Sequence, residues 1–196
     1  MNNTITIGIT GGIGSGKSFI CRILSAMGYP VFYSDQVAKE LMTSDNELIS
    51  EIKTLFGQEA YTVNQELNRP FLAKKIFEDQ SLRNKLNELV HPRVRKEFSR
   101  ITSETQSTFI FNEAAILFET GAHKNFDRMV LVTAPESLRI QRVQKRDNSS
   151  EEEIKKRMNA QWSDEKKIPL ADFVIDNDEQ QMLLPQIHEM IQKFSS

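Results

Sequence analysis

The chain has 196 residues, 39% hydrophobic and 27% charged, with a formal net charge of −2. That is the composition of one globular domain with a full core, and its scattered basic residues speak against a broad nucleic-acid surface. The single cysteine, Cys21, excludes an internal disulfide and a cysteine-based zinc cluster. No apolar run approaches a membrane span, and the start of the chain shows no basic-then-apolar signal region, so a cytoplasmic protein with neither membrane nor nucleic-acid partner is expected.

Taken in order, Ile5, Ile7 and Ile9 alternate with Thr4, Thr6 and Gly8, the pattern of a first strand. Gly11-Gly12-Ile13-Gly14-Ser15-Gly16-Lys17-Ser18 follows, which fits G-x-x-x-x-G-K-[ST]. Backbone N–H groups can surround a nucleotide's phosphates only where no side chain intervenes, and glycines permit that approach. Lys17 brings a positive charge to the β- and γ-phosphates, and the Ser18 hydroxyl is a ligand for Mg²⁺. Phe19, Ile20, Ile23, Leu24 and Met27 recur at helical spacing, and Gly28 stops the run. Strand, glycine loop and helix are the order a phosphate-binding loop demands. Residues 12–19 (Gly12, Ile13, Gly14, Ser15, Gly16, Lys17, Ser18 and Phe19) are therefore the expected ATP contacts, and Asn177, which follows the last strand on the same ligand edge, is expected to join them.

Tyr29 to Tyr33 reads as a second strand, and a helix follows Ser34-Asp35. Either residue is suited to cap that helix, and Asp35 at the end of a strand is equally suited to take a proton from an attacking hydroxyl. Glu47 to Phe56 predicts a helix ended by Gly57. Residues 58–70 read as a polar loop, and Pro70 to about Arg100 as helix broken at His91-Pro92. With no strand signal between 34 and 107, an all-helical insert is expected. Phe109-Ile110-Phe111 is the next strand, and Glu113 at its end is either a metal contact or an ordinary surface acid. Arg128 to Thr133 is a strand, and Pro135 opens a helix bearing Arg139, Arg142 and Arg146. Ser150 and Glu153 have capping-box spacing for another helix through Gln161 and Trp162. Such arginines form either a solvated face or a lid over a transferring phosphate. Phe173 to Ile175 is the last strand and Met182 to Phe194 the last helix, with Pro185 in its first turn.

Strands alternating with helices predict a three-layer α/β fold with a mostly parallel five-stranded sheet. One domain spanning 1–196 is expected, with a core of 1–57 and 107–196, an acceptor-binding helical insert of about 58–106 and a helical lid of about 139–162. A GTPase is excluded, because no glycine has an Asp three residues before it and no [NT]-K-x-D occurs. A compact kinase fits.

The residues also resemble the dephospho-CoA kinase family over nearly the whole chain. The likeness runs through Ile9 to Ser18, Asp35, Arg69 with Leu72 and Phe77, Leu89-Val90-His91-Pro92, Ile116 to Gly121, Arg142, Arg146-Asp147, Gln161 and Val174 to Asn177. Three positions depart from the family's pattern: Tyr33 stands for the first acid of an Asp-Ala-Asp motif, Ala115 for a proline and Phe19 for a threonine. The resemblance implies transfer of the ATP γ-phosphoryl to the ribose 3′-hydroxyl of dephospho-CoA. It also implies Asp35, Lys17, Arg142 and Arg146 as catalytic groups, Asp35, Arg69 and His91 at the acceptor, and Ser18 with Glu113 at Mg²⁺. The expected partners are small molecules, and the expected form is a monomer or weak homo-oligomer. A kinase for another small metabolite and a non-catalytic nucleotide sensor are the rival readings.

Overall fold

A computed structural model describes residues 4–196; the first three residues, part of the stretch read as free of a signal region, lie outside it. The strands are β1 (Ile5–Thr10), β2 (Val31–Tyr33), β3 (Phe109–Glu113), β4 (Arg128–Thr133) and β5 (Phe173–Asp176), in the order β2-β3-β1-β4-β5. β1 runs parallel to both β3 and β4, and β4 parallel to β5. This is the α/β architecture the alternating elements predict. A central parallel strand is covered on both faces, so its residues are apolar without a polar face. β3 accordingly is buried at all five positions, and Ile7, Ile9, Val130, Leu131 and Val132 are fully enclosed.

The chain divides into two compact units, residues 4–32 with 105–196 and residues 33–104. In the first, the sheet is joined by α1 (Lys17–Ala26), α6 (Glu136–Asp147), α7 (Glu151–Asn159), the single turn α8 (Asp164–Lys167) and α9 (Leu183–Ser195). α1 packs on β3 and α9 on β5, burying Ile20 and Leu24 from one and Ile187, Met190 and Phe194 from the other. Ser150 caps α7 with a reciprocal pair of bonds: its hydroxyl accepts from the Glu153 N–H while the Glu153 carboxylate accepts from the Ser150 N–H. The helix expected to run through Gln161 and Trp162 ends at Asn159, so both residues lie on the connection to α8.

The second unit contains α2 (Ser34–Ser44), α3 (Asn46–Phe56), α4 (Arg69–Glu78) and α5 (Gln80–Glu104). The expected break at His91-Pro92 does not occur, for α5 runs through Pro92. Proline lacks the N–H that would serve the preceding turn. The carbonyl that loses its partner is that of Glu88, four residues back; the neighbouring Leu89 carbonyl accepts from the Arg93 side chain, at 3.0 Å from Nη1. Arg93 also pairs with Asp45 (3.2 Å), Glu47 (3.4 Å) and Glu51 (3.0 Å), tying the proline turn to α3, while Val90, Val94 and Phe98 are buried along the same helix. The helical run breaks earlier, at Asp79, whose carboxylate accepts from the N–H groups of Ser81 and Leu82 and so starts α5.

Candidate active site

β1 delivers the glycine loop to the head of α1, where Gly14 (φ 79°) and Gly16 (φ 96°) take left-handed backbone that favours glycine. The loop is held from outside. Gln161 Oε1 accepts from the Ile13 N–H at 2.8 Å, and Arg139 Nε donates to the Ile13 carbonyl at 2.9 Å. Asn177 Nδ2 donates to the Ser15 carbonyl at 2.8 Å, and Arg142 Nη1 reaches the Gly14 and Ser15 carbonyls at 3.4 Å each. These groups crowd the glycines so closely that a Cβ on Gly12 would stand 2.0 Å from Arg139 Nη2. A Cβ on Gly14 would stand 2.5 Å from the Arg139 carbonyl, and one on Gly16 would stand 2.0 Å from Asn177 Nδ2. The glycines thus serve the protein's own packing as well as any ligand.

Lys17 is nearly buried, with Nζ donating to the Gly11 carbonyl at 2.8 Å. Ser18 is exposed in the first turn of α1, as is Phe19. Glu113 ends β3 in register with Ile9 and is buried. Burial pushes the Cys21 thiol well up, and the Glu113 carboxylate pushes it further, so Glu113 bears on the α1 face that carries Cys21 and, three residues earlier, Ser18.

Arg142 Nη2 further donates to the Asn177 carbonyl (3.0 Å) and to Glu179 Oε1 (2.9 Å). Arg146 is engaged differently. It donates twice to Asp147, at 2.6 and 3.0 Å, and Arg157 donates to the same carboxylate at 3.0 Å, which holds the Asp147 carboxyl well below its usual range. The structure therefore gathers Lys17, Arg142 and Asn177 at the loop and leaves Arg146 on Asp147.

Asp35, Arg69 and His91 belong to the helical unit. The N-cap of α2 is Tyr33, without a side-chain cap bond, so Asp35 lies inside the first turn rather than at the cap, where a carboxylate still suits the helix dipole. His91 lies close enough to feel it. Burial and then the charge of Arg95 lower the imidazole pKa, and Asp35 opposes them. Arg69 is exposed at the start of α4, after the N-cap Asn68.

Sequence reasoning missed a second layer. Asp164 Oδ2 lies 3.5 Å from Arg139 Nη1, and burial raises the Asp164 carboxyl pKa against the pull of Arg139, Lys167 and Lys17. Lys167 is fully buried with Nζ 2.8 Å from Glu119 Oε1, an ionic contact without an aligned hydrogen bond. Glu119 Oε1 also accepts from the Trp162 N–H at 3.1 Å. Nothing local pairs these residues, since Arg139 and Asp164 are 25 positions apart and Glu119 and Trp162 are 43.

Magnesium suits this donor set. Ser18 and Glu113 offer hard oxygens, and no group of three or more His, Cys, Asp or Glu able to hold a metal occurs among the described residues. An ion that keeps its waters and binds one or two protein oxygens plus substrate phosphates needs no such cage.

The sequence model of the family described as dephospho-CoA kinase matches residues 5–182. A Chlorobium chlorochromatii protein named dephospho-CoA kinase is 42% identical over 181 residues, covering 89% of this chain and 85% of its own. A Bacteroides fragilis protein of the same name is 41% identical, covering 95% and 91%. Among solved structures, one from Thermus thermophilus superposes with a TM-score of 0.88 at 33% identity over 98% of both chains. Dephospho-CoA kinase from Campylobacter jejuni, at 24% identity and a TM-score of 0.67 over 97% and 95% of the chains, shares the fold.

Proposed function

The chain belongs to the dephospho-CoA kinase family, and from that premise we propose that it transfers the γ-phosphoryl group of ATP to the ribose 3′-hydroxyl of dephospho-CoA, giving CoA and ADP. The observation that carries this reading is the glycine loop at the head of α1, whose carbonyls at Ile13, Gly14 and Ser15 are all engaged by side chains from outside. A loop so fixed is a ready anion cradle.

The acceptor hydroxyl oxygen bonds to the γ-phosphorus as the bond from that phosphorus to the β,γ-bridging oxygen breaks, and ADP leaves. Asp35 orients the hydroxyl and takes its proton. His91, kept neutral at pH 7 by its lowered pKa, neighbours Asp35 without adding a charge that would compete for it. Arg69 is the third acceptor contact of this reading. Lys17 exchanges the Gly11 carbonyl for the β- and γ-phosphates, and Arg142 sits beside the loop to meet charge there. Arg146 reaches the transferring phosphate by leaving Asp147. Ser18 and Glu113 would hold Mg²⁺, which would supply positive charge against the phosphates during transfer.

A monomer or weak homo-oligomer is the form this reading expects. Among the described residues no helix is long and apolar enough to cross a membrane. The buried thiol of Cys21 suits a reducing cytoplasm.

The test is ADP release from Mg-ATP with dephospho-CoA as acceptor, run beside shikimate, AMP, CMP and no acceptor. Turnover with dephospho-CoA alone is expected. Turnover only with another acceptor would discard the CoA reading, and ATP binding without turnover would make the chain a nucleotide sensor.

A further inference from the structure

Peptide geometry at Ile13 links the P-loop to residues that no motif assigns to it. The chain contains no cis peptide bond among the described residues. In a trans peptide the C=O and the following N–H point opposite ways. Whatever fixes the Ile13 carbonyl therefore fixes the direction of the Gly14 N–H. Arg139 Nε takes that carbonyl at 2.9 Å, and Gln161 Oε1 takes the Ile13 N–H at 2.8 Å. Both polar groups of one residue are thus gripped by two side chains, one from α6 and one from beyond the end of α7. Ile13's own N–H is consumed by Gln161 and faces no ligand. Gly14's N–H is turned away from the Arg139 guanidinium.

We propose that Arg139 and Gln161 are positioning residues that clamp Ile13 so that the Gly14 N–H is presented to the nucleotide's phosphates before the nucleotide arrives. The inference rests on the reading of the loop as the phosphate cradle of the ATP site.

Two further observations fit a clamp rather than incidental contact. The Arg139 side chain is mostly buried and lies against Gly12, where a Cβ would come within 2.0 Å of Nη2, so its place on the loop is built into the sequence of the loop. Asp164 lies 3.5 Å from Nη1 on the guanidinium, which limits its rotation away from Ile13. An N–H already aimed at the anion costs nothing to reorganise on binding.

The test separates phosphate recognition from folding and from recognition of the base. Dissociation constants for ADP and for adenosine are measured by calorimetry on the wild type and on Arg139→Met, Gln161→Leu and Gln161→Glu. Arg139→Met and Gln161→Leu are expected to weaken ADP about tenfold each, the scale of one lost charge-assisted or buried hydrogen bond, while adenosine binding stays unchanged. Gln161→Glu keeps an acceptor for the Ile13 N–H and is expected to retain most of the affinity that Gln161→Leu loses. ADP affinity within about twofold of wild type in the two disabling variants would overturn the clamp. So would an equal loss for adenosine, or a Gln161→Glu variant as damaged as Gln161→Leu. If Arg139→Met does not fold, the two Gln161 variants decide alone, since Gln161 lies outside any helix. Wild-type protein that fails to bind ADP would instead sink the nucleotide reading itself.

Discussion

Asp35 and His91 show how single residues acquire different tasks from their surroundings. Asp35 is exposed in the first turn of α2 and does not cap the helix, so its carboxylate is free of a backbone duty at the N-cap position. Replacing it with asparagine removes the proton acceptor while keeping size and polarity. Asp35→Asn is expected to lower turnover by about 10²–10⁴-fold, the usual contribution of a general base. ATP affinity measured by calorimetry should change little, and parallel loss of both would indicate a structural role. His91 carries the opposite kind of information. Its folded pKa lies below the unfolded value of about 6.5. The unfolded chain therefore binds this proton more readily, and stability rises with pH through the window just below 6.5 and falls as the solution is acidified. His91→Gln is expected to flatten urea-unfolding stability between about pH 5 and 6.5; an unchanged slope would mean that other groups set it.

Among the elements, α5 is the one whose sequence and structure pull in different directions. A proline inside a helix forfeits one hydrogen bond and crowds the preceding turn, at a cost of about 3 kcal/mol relative to alanine. The helix survives because Val90, Val94 and Phe98 bury their side chains on either side of Pro92 and because Arg93, in the same turn, pairs with Asp45, Glu47 and Glu51. Pro92→Ala is accordingly expected to stabilise the protein by on the order of 1–3 kcal/mol. The readout is the denaturant midpoint. A lowered midpoint would show that the packing of α5 requires the proline's geometry. If turnover falls while stability rises, the distorted turn belongs to acceptor binding rather than to folding.

For the whole molecule, the division into two compact units separates the groups proposed for ATP from those proposed for the acceptor. The loop, Arg139, Arg142, Gln161 and Asn177 all fall in the sheet-containing unit; Asp35, Arg69 and His91 all fall in the helical one. A ligand that binds only the folded form lowers local opening where it binds. Mg-ATP alone is expected to slow amide exchange at residues 11–18 and around Asn177, and dephospho-CoA alone to slow it within residues 33–104. Protection by dephospho-CoA confined to the sheet unit would remove the helical unit as its acceptor site. Under these readings the two units contribute different parts of one reaction.

The amino-acid sequence by itself determined the strands, the glycine loop, the helix after it, the capping box of α7 and the family, because each of these is written in spacing over a few residues. Alternation buries a strand, a glycine permits a left-handed turn, and Ser150 reaches Glu153 within a single helical turn. Only the tertiary structure decided that α5 continues through Pro92, that Arg146 rests on Asp147, and that Arg139 and Gln161 hold Ile13. The hold on Ile13 depends on pairs that folding brings together from 126 and 148 positions apart, and the Arg146–Asp147 neighbours gain Arg157 only when α7 packs on α6. No local pattern encodes which distant donor will satisfy a given backbone group. Burial imposes the requirement that it be satisfied, and the fold selects the partner.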